Sequence, residues 1–254
     1  MLIDSHCHIP LISDNKSDQA LIIKNAVEVG VTHMLCISVD LETVEDVLYC
    51  SRNHEQVSAS VGVHPTYVEG NLASVEEIAT LAEDPTVIAV GETGLDFYQP
   101  NYDSARQEEQ FRNHIRCAKN INKPLIVHCR NAASSLLKIL QEEDAKKIGG
   151  IMHCFVEDWE TAKAAMDLGF YISFSGILTF KNAKDLQEVS KKIPLDRILV
   201  ETDSPWLSPV PLRGKTNQPA HVIHTLKFLA HLREEEEEVM SEQTTKNFNR
   251  LFCL

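Results

Sequence analysis

The sequence predicts a single (β/α)8 barrel spanning residues 1–254. Three observations carry this expectation: eight apolar runs rich in β-branched residues at fairly even spacing, helical periodicity between them, and no Pro/Gly/Ser-rich linker dividing the chain. The runs are Leu2–Cys7, Met34–Val39, Val57–Val63, Val87–Gly91, Leu125–Cys129, Ile151–Phe155, Phe170–Phe174 and Ile198–Glu201. Helical patterns fill Asp18–Val29, Leu41–Arg52, Ala105–Asn120, Ala132–Lys147 and Trp159–Leu168. Strand and helix therefore alternate, the order that makes a parallel sheet covered by helices. Several runs are continuously apolar, as expected of strands buried on both faces, and 254 residues is a typical length for the closed barrel.

At 43% hydrophobic, 24% charged and 6% aromatic residues, the composition excludes disordered and collagen-like chains. No window approaches the ~18–20 uninterrupted apolar residues that cross a bilayer, and the N-terminus lacks basic and apolar signal regions. The expected location is the cytoplasm, without membrane association. Seven cysteines, odd in number and without paired short spacings, are expected to be reduced thiols. The five consecutive acids Glu234–Glu238 are expected on a solvated helix face or turn. With 24 Lys and Arg against 37 Asp and Glu, the net charge of −13 excludes a broad basic surface for nucleic acid. A phosphate substrate must then be met at one local spot lined by metal or Arg. No obligate protein partner is evident.

Chemistry is signalled by where polar residues fall in this strand map. His6 and His8 end the first run, Glu92 the fourth, His128 the fifth, His153 the sixth and Asp203 the eighth. All strand C-termini of a parallel barrel open on one face, where such barrels keep their active sites, so these six side chains converge. Strand alternation puts His6 and His8 on one side and Cys7 on the other, and the same parity turns Cys129 and Cys154 towards the helices. Taken alone, His-x-His on a strand is more often structural than metal-binding; five strand ends carrying ligand types reverse that judgement. Imidazoles with carboxylates suit zinc, manganese or magnesium, and six ligands exceed what one four-coordinate ion with an open position can use. Two divalent ions are the expected cofactors, with Glu92 as the bridging carboxylate.

The motifs resemble those of the TatD family of metal-dependent deoxyribonucleases, within the amidohydrolase-like barrels. They run from Ile3-Asp4-Ser5-His6-Cys7-His8 through Gly62-Val63-His64-Pro65, Gly91-Glu92-Thr93-Gly94-Leu95-Asp96-Phe97-Tyr98, Val127-His128-Cys129-Arg130 and Met152-His153-Cys154-Phe155 to Glu201-Thr202-Asp203-Ser204-Pro205. The segments Arg213-Gly214-Lys215 and Asn217-Gln218-Pro219 are similar to bacterial members. The resemblance covers essentially the whole chain. It implies His6, His8, Glu92, His128, His153 and Asp203 as metal ligands, adds His64 at the substrate side, and implies DNA as substrate. Two departures stand at the rim: Ile9-Pro10 where many relatives carry Asp after His-x-His, and Asn131 where many carry an acid after His-x-Arg.

Around the ligands, Asp4 and Glu201 lie two residues before His6 and Asp203 and are expected one layer deeper, Asp4 orienting a ligand imidazole. Arg130 follows His128 by two and is placed to grip a phosphate bidentately. His64 is expected at a phosphate or the leaving oxygen, Lys215 at a phosphate or in solvent, and Trp206 in loop packing or stacked on a base. The expected activity is hydrolysis of DNA phosphodiester bonds from a 3′ end, on single-stranded or frayed ends, with Asp203 orienting the nucleophilic water and Arg130 and His64 assisting departure. The alternative is hydrolysis of a cyclic amide, lactone or other ester on the same binuclear barrel; many such enzymes bridge with a modified lysine where this chain has Glu92. A non-catalytic metal or nucleic-acid binding protein is disfavoured by the intact ligand set.

Overall fold

The alternation of apolar runs and amphipathic segments becomes an alternation of strand and helix in the computed structural model, which describes residues 1–67, 70–98 and 100–254. In chain order the elements are β1 (Leu2–Cys7), α1 (Ile9–Ile12), α2 (Lys16–Glu28), β2 (Val31–Cys36), α3 (Val44–Asn53), β3 (Val57–Val61), α4 (Val75–Leu81), β4 (Val87–Asp96) and α5 (Ser104–Ile121). There follow β5 (Leu125–Arg130), α6 (Ala133–Glu142), β6 (Gly150–Met152), α7 (Trp159–Asp167), β7 (Phe170–Phe174), α8 (Lys184–Lys192), β8 (Ile198–Val200), α9 (Val222–Leu232) and α10 (Glu237–Phe252). Local chemistry starts several helices: Asn15, Asp103 and Asp158 accept backbone N–H groups of α2, α5 and α7, and Ser74 and Glu77 form a capping box on α4.

The strands form one parallel sheet in sequence order, β1 to β8. The two edges meet beyond the end of β8, where His8 N–H donates to Ser204 O (2.8 Å) and Asp203 N–H donates to His6 O (2.9 Å). Ser5 Oγ also donates to Val200 O (3.0 Å). The seam of the barrel is thus tied by the same backbone that carries three candidate ligands.

Alternate residues divide the core into two layers. One set packs outward under the helices, including Met34, Val57, Val61, Leu125, Val127, Phe170 and Phe174. The other fills the barrel: Ile3, Leu35, Ile37, Ala89, Ile126, Ile151, Tyr171 and Leu199 cluster with Phe248 and Phe252 of α10. This last helix stoppers the N-terminal end of the barrel. Asn247 Nδ2 donates to Leu195 O (2.9 Å) and Ile198 O (2.8 Å), and Thr245 Oγ1 donates to Met1 O (3.0 Å). Glu237 and Glu238 lie in the first turn of α10, where the helix dipole favours acids, so the acidic run does join a turn to a helix start.

Several strand limits differ from expectation. The second strand is Val31–Cys36, three residues earlier at both ends than the run read from sequence, and β4 continues to Asp96 instead of stopping at Gly91. Glycine normally interrupts a strand pattern, but a side chain at Gly94 would come within 2.0 Å of His128 O, so here glycine permits the strand pair to approach. Conversely β6 and β8 are only three residues long, leaving His153 and Asp203 on the loops beyond them. All seven cysteines are free thiols. Among the described residues, no helix is long and apolar enough to cross a membrane.

Phe248 is fully buried and fills the base of the barrel. Phe248→Ala is expected to cost about 3–5 kcal/mol, the range for removing a core aromatic ring. Urea unfolding checks it; a loss below about 1 kcal/mol would show that α10 does not stopper the barrel.

Candidate metal centre

Both strands that supply the centre of the site are bulged. Three residue steps on β1, Asp4 to Cys7, face two on β2, Met34 to Cys36. Likewise three steps on β4, Val90 to Thr93, face two on β5, Leu125 to Val127. A bulge inserts one extra residue, bends the strand and re-aims a side chain, and bulges concentrate at barrel rims. These two re-aim His6 and Glu92.

The six expected ligand residues come together around the Glu92 carboxylate, whose two oxygens face different partners. Oε2 lies 3.3 Å from His6 Nε2 and 3.9 Å from His8 Nε2. Oε1 lies 2.9 Å from His153 Nε2, 3.1 Å from His128 Nδ1 and 3.4 Å from His64 Nε2. Asp203 Oδ1 closes the first group at 3.6 Å from His6 Nε2 and 3.5 Å from His8 Nε2, and the two imidazole nitrogens are 3.1 Å apart. Ligands at ~2.0–2.2 Å from a tetrahedral ion are roughly 3.3–3.6 Å from one another. The donor atoms are therefore spaced to hold a divalent ion, and His6, His8 and Asp203 form one such group while His64, Glu92 and His128 form another.

Orienting partners supply an independent test of that fit. A ligating imidazole needs its other nitrogen fixed. His8 Nδ1 donates to Ile37 O (3.1 Å), His128 Nε2 meets Asp96 Oδ2 (3.1 Å), and His153 Nδ1 meets Glu201 Oε1 (3.1 Å). In each case the nitrogen left over faces the carboxylate cluster. His64 is arranged differently: its Nδ1 accepts the Thr66 backbone N–H (3.2 Å), which leaves the proton on Nε2. That nitrogen is set up as a donor.

Other expectations are revised. Asp4 does not orient an imidazole; it accepts Thr202 N–H (2.8 Å) and Thr202 Oγ1–H (2.6 Å), tying β1 to the loop after β8. The bulge is the reason, because the extra residue between Asp4 and Cys7 breaks the alternation that would align Asp4 with His6. Glu201 does lie beneath the site, bound to His153 and to Cys154 N–H (2.7 Å). Cys7 faces the helix layer and Cys129 packs against it as expected, Cys129 also reaching the cavity lining, whereas Cys154 lines the cavity. Cys154 lies beyond β6 with φ +43°, so strand parity no longer governs it. Lys215 is exposed and lies outside the cavity lining, while Arg130 lines it with its guanidinium 3.6 Å above the Tyr98 ring centre. Asp96 is the partner that sequence reasoning missed. Extending β4 through Gly94 would have revealed it, four residues beyond Glu92 on the same strand face.

The cavity over the cluster holds about 890 Å³, at the upper end of the ~300–1,000 Å³ typical of small-ligand sites. The ligand group lines it together with His64 and Arg130, and its apolar lining includes Leu11, Val156, Ile177 and Trp206.

Burial disfavours the charged form of the groups here; it prevails at His6 and His64, whose imidazoles are lowered, and is outweighed by attraction at Glu92, His153 and His128. Burial opposes ionisation of Glu92, yet the charges of His153, His64 and His6 outweigh it and hold its carboxyl well below the usual range. Burial likewise opposes protonation of His153, but Glu92 and Glu201 raise it well above an ordinary histidine. His128 is raised against burial by its bonds to Asp96 and Glu92. Without a cation, the acidic cluster takes protons instead. Because both imidazoles are raised above the ordinary histidine range, an incoming ion must displace the protons they hold. Affinity for zinc is therefore expected to rise between about pH 6 and pH 8, roughly tenfold per pH unit for each proton displaced. Calorimetric titration in buffers of different ionisation enthalpy measures the protons released; a pH-independent affinity would contradict the protonation states.

The comparisons agree with this geometry. Residues 3–253 match the family model described as TatD related DNase. YcfH of Escherichia coli K12, named as a metal-dependent hydrolase, is 43% identical over 253 residues, covering 99% of this chain and 95% of that protein. The 3′-5′ ssDNA/RNA exonuclease TatD of Shigella flexneri serotype 5b is 31% identical over 241 residues, covering 92% of this chain and 93% of that protein. The solved structure of YjjV, a TatD homolog from Escherichia coli K12, superposes with a TM-score of 0.93 at 26% identity, covering 100% of this chain and 98% of that one. An eight-stranded parallel barrel with histidines and carboxylates gathered at its mouth, matched along nearly all its length, is a metal-dependent hydrolase of known kind: the chain belongs to the family of TatD-related DNases.

Proposed function

We propose that the chain hydrolyses DNA phosphodiester bonds from a 3′ end; His6, His8 and Asp203 on one side and His128 and His153 on the other, with Glu92 between them, would hold two divalent ions. The observation that carries this reading is the division of labour between the two Glu92 oxygens, one facing each imidazole group. The relative named as a single-stranded DNA/RNA exonuclease supports a nucleic-acid substrate. A net charge of −13 argues for a strand end held at one spot over a duplex gripped along its length.

Ions at such a site lower the pKa of water towards ~7 and neutralise charge on phosphoryl oxygens. The protein's own groups do the rest. Asp203 keeps a side chain 14% exposed at the cavity floor, where its carboxylate takes a proton from the attacking water. Arg130, steadied on the Tyr98 ring, presents its N–H edge to a phosphate. His64, kept neutral because burial lowers it to about 4, points its Nε2–H at the cluster as a hydrogen-bond donor to a phosphoryl or leaving oxygen. No thiol enters the scheme: burial raises the Cys154 and Cys129 thiols above the ordinary range, so both stay protonated.

Chelation is expected to abolish hydrolysis of a 3′-labelled single-stranded oligomer, and zinc, manganese or magnesium to restore it. Glu92→Ala should lower bound metal, read by elemental analysis, together with activity by more than about 100-fold. Full activity in metal-free protein, or two ions retained by Glu92→Ala, would overturn the reading.

A further inference from the structure

Trp206 is half exposed, at 50%, although it lies beside the buried ligands and lines their cavity. Its freedom is small. Trp206 N–H donates to Asp203 O (3.0 Å), and Trp206 O accepts from the Asn217 side-chain amide (2.6 Å). The same fully buried Asn217 amide also donates to Thr202 O (2.9 Å), and Asn217 N–H donates to Pro205 O (3.0 Å). The indole meets His8 edge-on, with ring centres 5.3 Å apart. A large apolar ring is thus held on a rigid backbone next to a metal ligand while half of it faces the cavity. Folding alone would favour covering it. The cavity therefore offers a fixed flat apolar surface beside the His8 ligand.

We propose that Trp206 is a stacking platform for the nucleobase of the terminal nucleotide, and that the enzyme recognises the presence of a base without reading its identity. This rests on the phosphodiesterase reading above. Three observations support it. Every base has a face that stacks on an aromatic ring. A base lying on Trp206, whose ring stands 5.3 Å from the His8 ring, would keep its sugar and phosphodiester beside the ligand group that lines the same cavity. And reading a base edge needs amide, guanidinium or carboxylate groups in matched pairs. Among the described residues the lining holds no Asn, Gln, Lys or Ser; its carboxylates Glu92, Asp96 and Asp203 are engaged with histidines, its guanidinium is Arg130, and Thr66 and Tyr67 offer single hydroxyls and no matched pair.

The test compares two single-stranded oligomers, identical except that one carries a 3′-terminal abasic tetrahydrofuran nucleotide, with the manganese-loaded enzyme. The base-bearing end is expected to have a kcat/KM roughly 5- to 150-fold higher, with the four bases within a few-fold of one another. In Trp206→Ala the ratio between the two ends collapses towards one, and Trp206→Phe keeps most of it. Equal losses on both oligomers, or an unchanged ratio, would show that Trp206 only supports His8 and would overturn the proposal. A second measurement needs no change at the position. In a Trp159→Phe background Trp206 is the remaining tryptophan of two, and dAMP is expected to quench its emission while ribose 5-phosphate does not. Should the wild-type enzyme cleave neither oligomer, the phosphodiesterase reading fails by itself, and the quenching decides the platform: quenching by dAMP upholds it and its absence overturns it.

Discussion

Everything at the mouth of this barrel is organised by one buried carboxylate surrounded by imidazoles. Glu92 is almost wholly out of water, with His153, His128 and His64 on one oxygen and His6 and His8 on the other. A lone buried charge costs several kcal/mol, so this arrangement demands either protons on the histidines or cations between them. The bulges in β1 and β4, the glycine that lets β4 press against β5, and the hydrogen bonds from Asp96, Glu201 and Ile37 can each be understood as means of bringing those donor atoms to metal-ligand spacing.

The two ends of the barrel divide the labour. At the N-terminal end the interior is closed by aliphatic side chains, the Tyr171 ring and the two rings of α10. At the C-terminal end the same inward positions carry His, Glu and Asp. The first end contributes apolar burial and tolerates no cavity; the second carries electrostatic conflict that folding alone would remove. The short β6 and β8 belong to this trade, since ending them early frees His153 and Asp203 from sheet geometry and lets their loops, at positive φ for Cys154 and Asp203, turn towards the centre.

The seam of the barrel links the two concerns. Asp4 is fully buried, and burial lifts its carboxyl well above the ordinary range despite the bonds it accepts from Thr202. Together with Ser5, Ser204 and Asn217 it holds β1 to the loop carrying Asp203 and Trp206. Closing the sheet and positioning one wall of the cavity are consequently one network, which accounts for the polar residues found where a purely structural barrel would use apolar ones.

Apolar periodicity and strand order were enough to determine the eightfold alternation, the parallel barrel and the convergence of His6, His8, Glu92, His128, His153 and Asp203, because in a closed parallel sheet the C-terminal ends have only one place to go. Composition alone limited the kinds of nucleic-acid contact the surface can make. Strand parity also predicted the orientation of Cys7, where no bulge intervenes between it and His8. It failed at Asp4 and Cys154, and the extent of β4 hid Asp96, because a bulge or an early strand end resets the alternation and leaves no mark in a single sequence. The partition of the Glu92 oxygens, the proton on His64, the pairing of Asp96 with His128 and the exposed face of Trp206 were decided by tertiary structure. Each depends on distances of about 3 Å between residues far apart in the chain, and sequence spacing specifies which strand a residue occupies but not which atom of its side chain meets which neighbour.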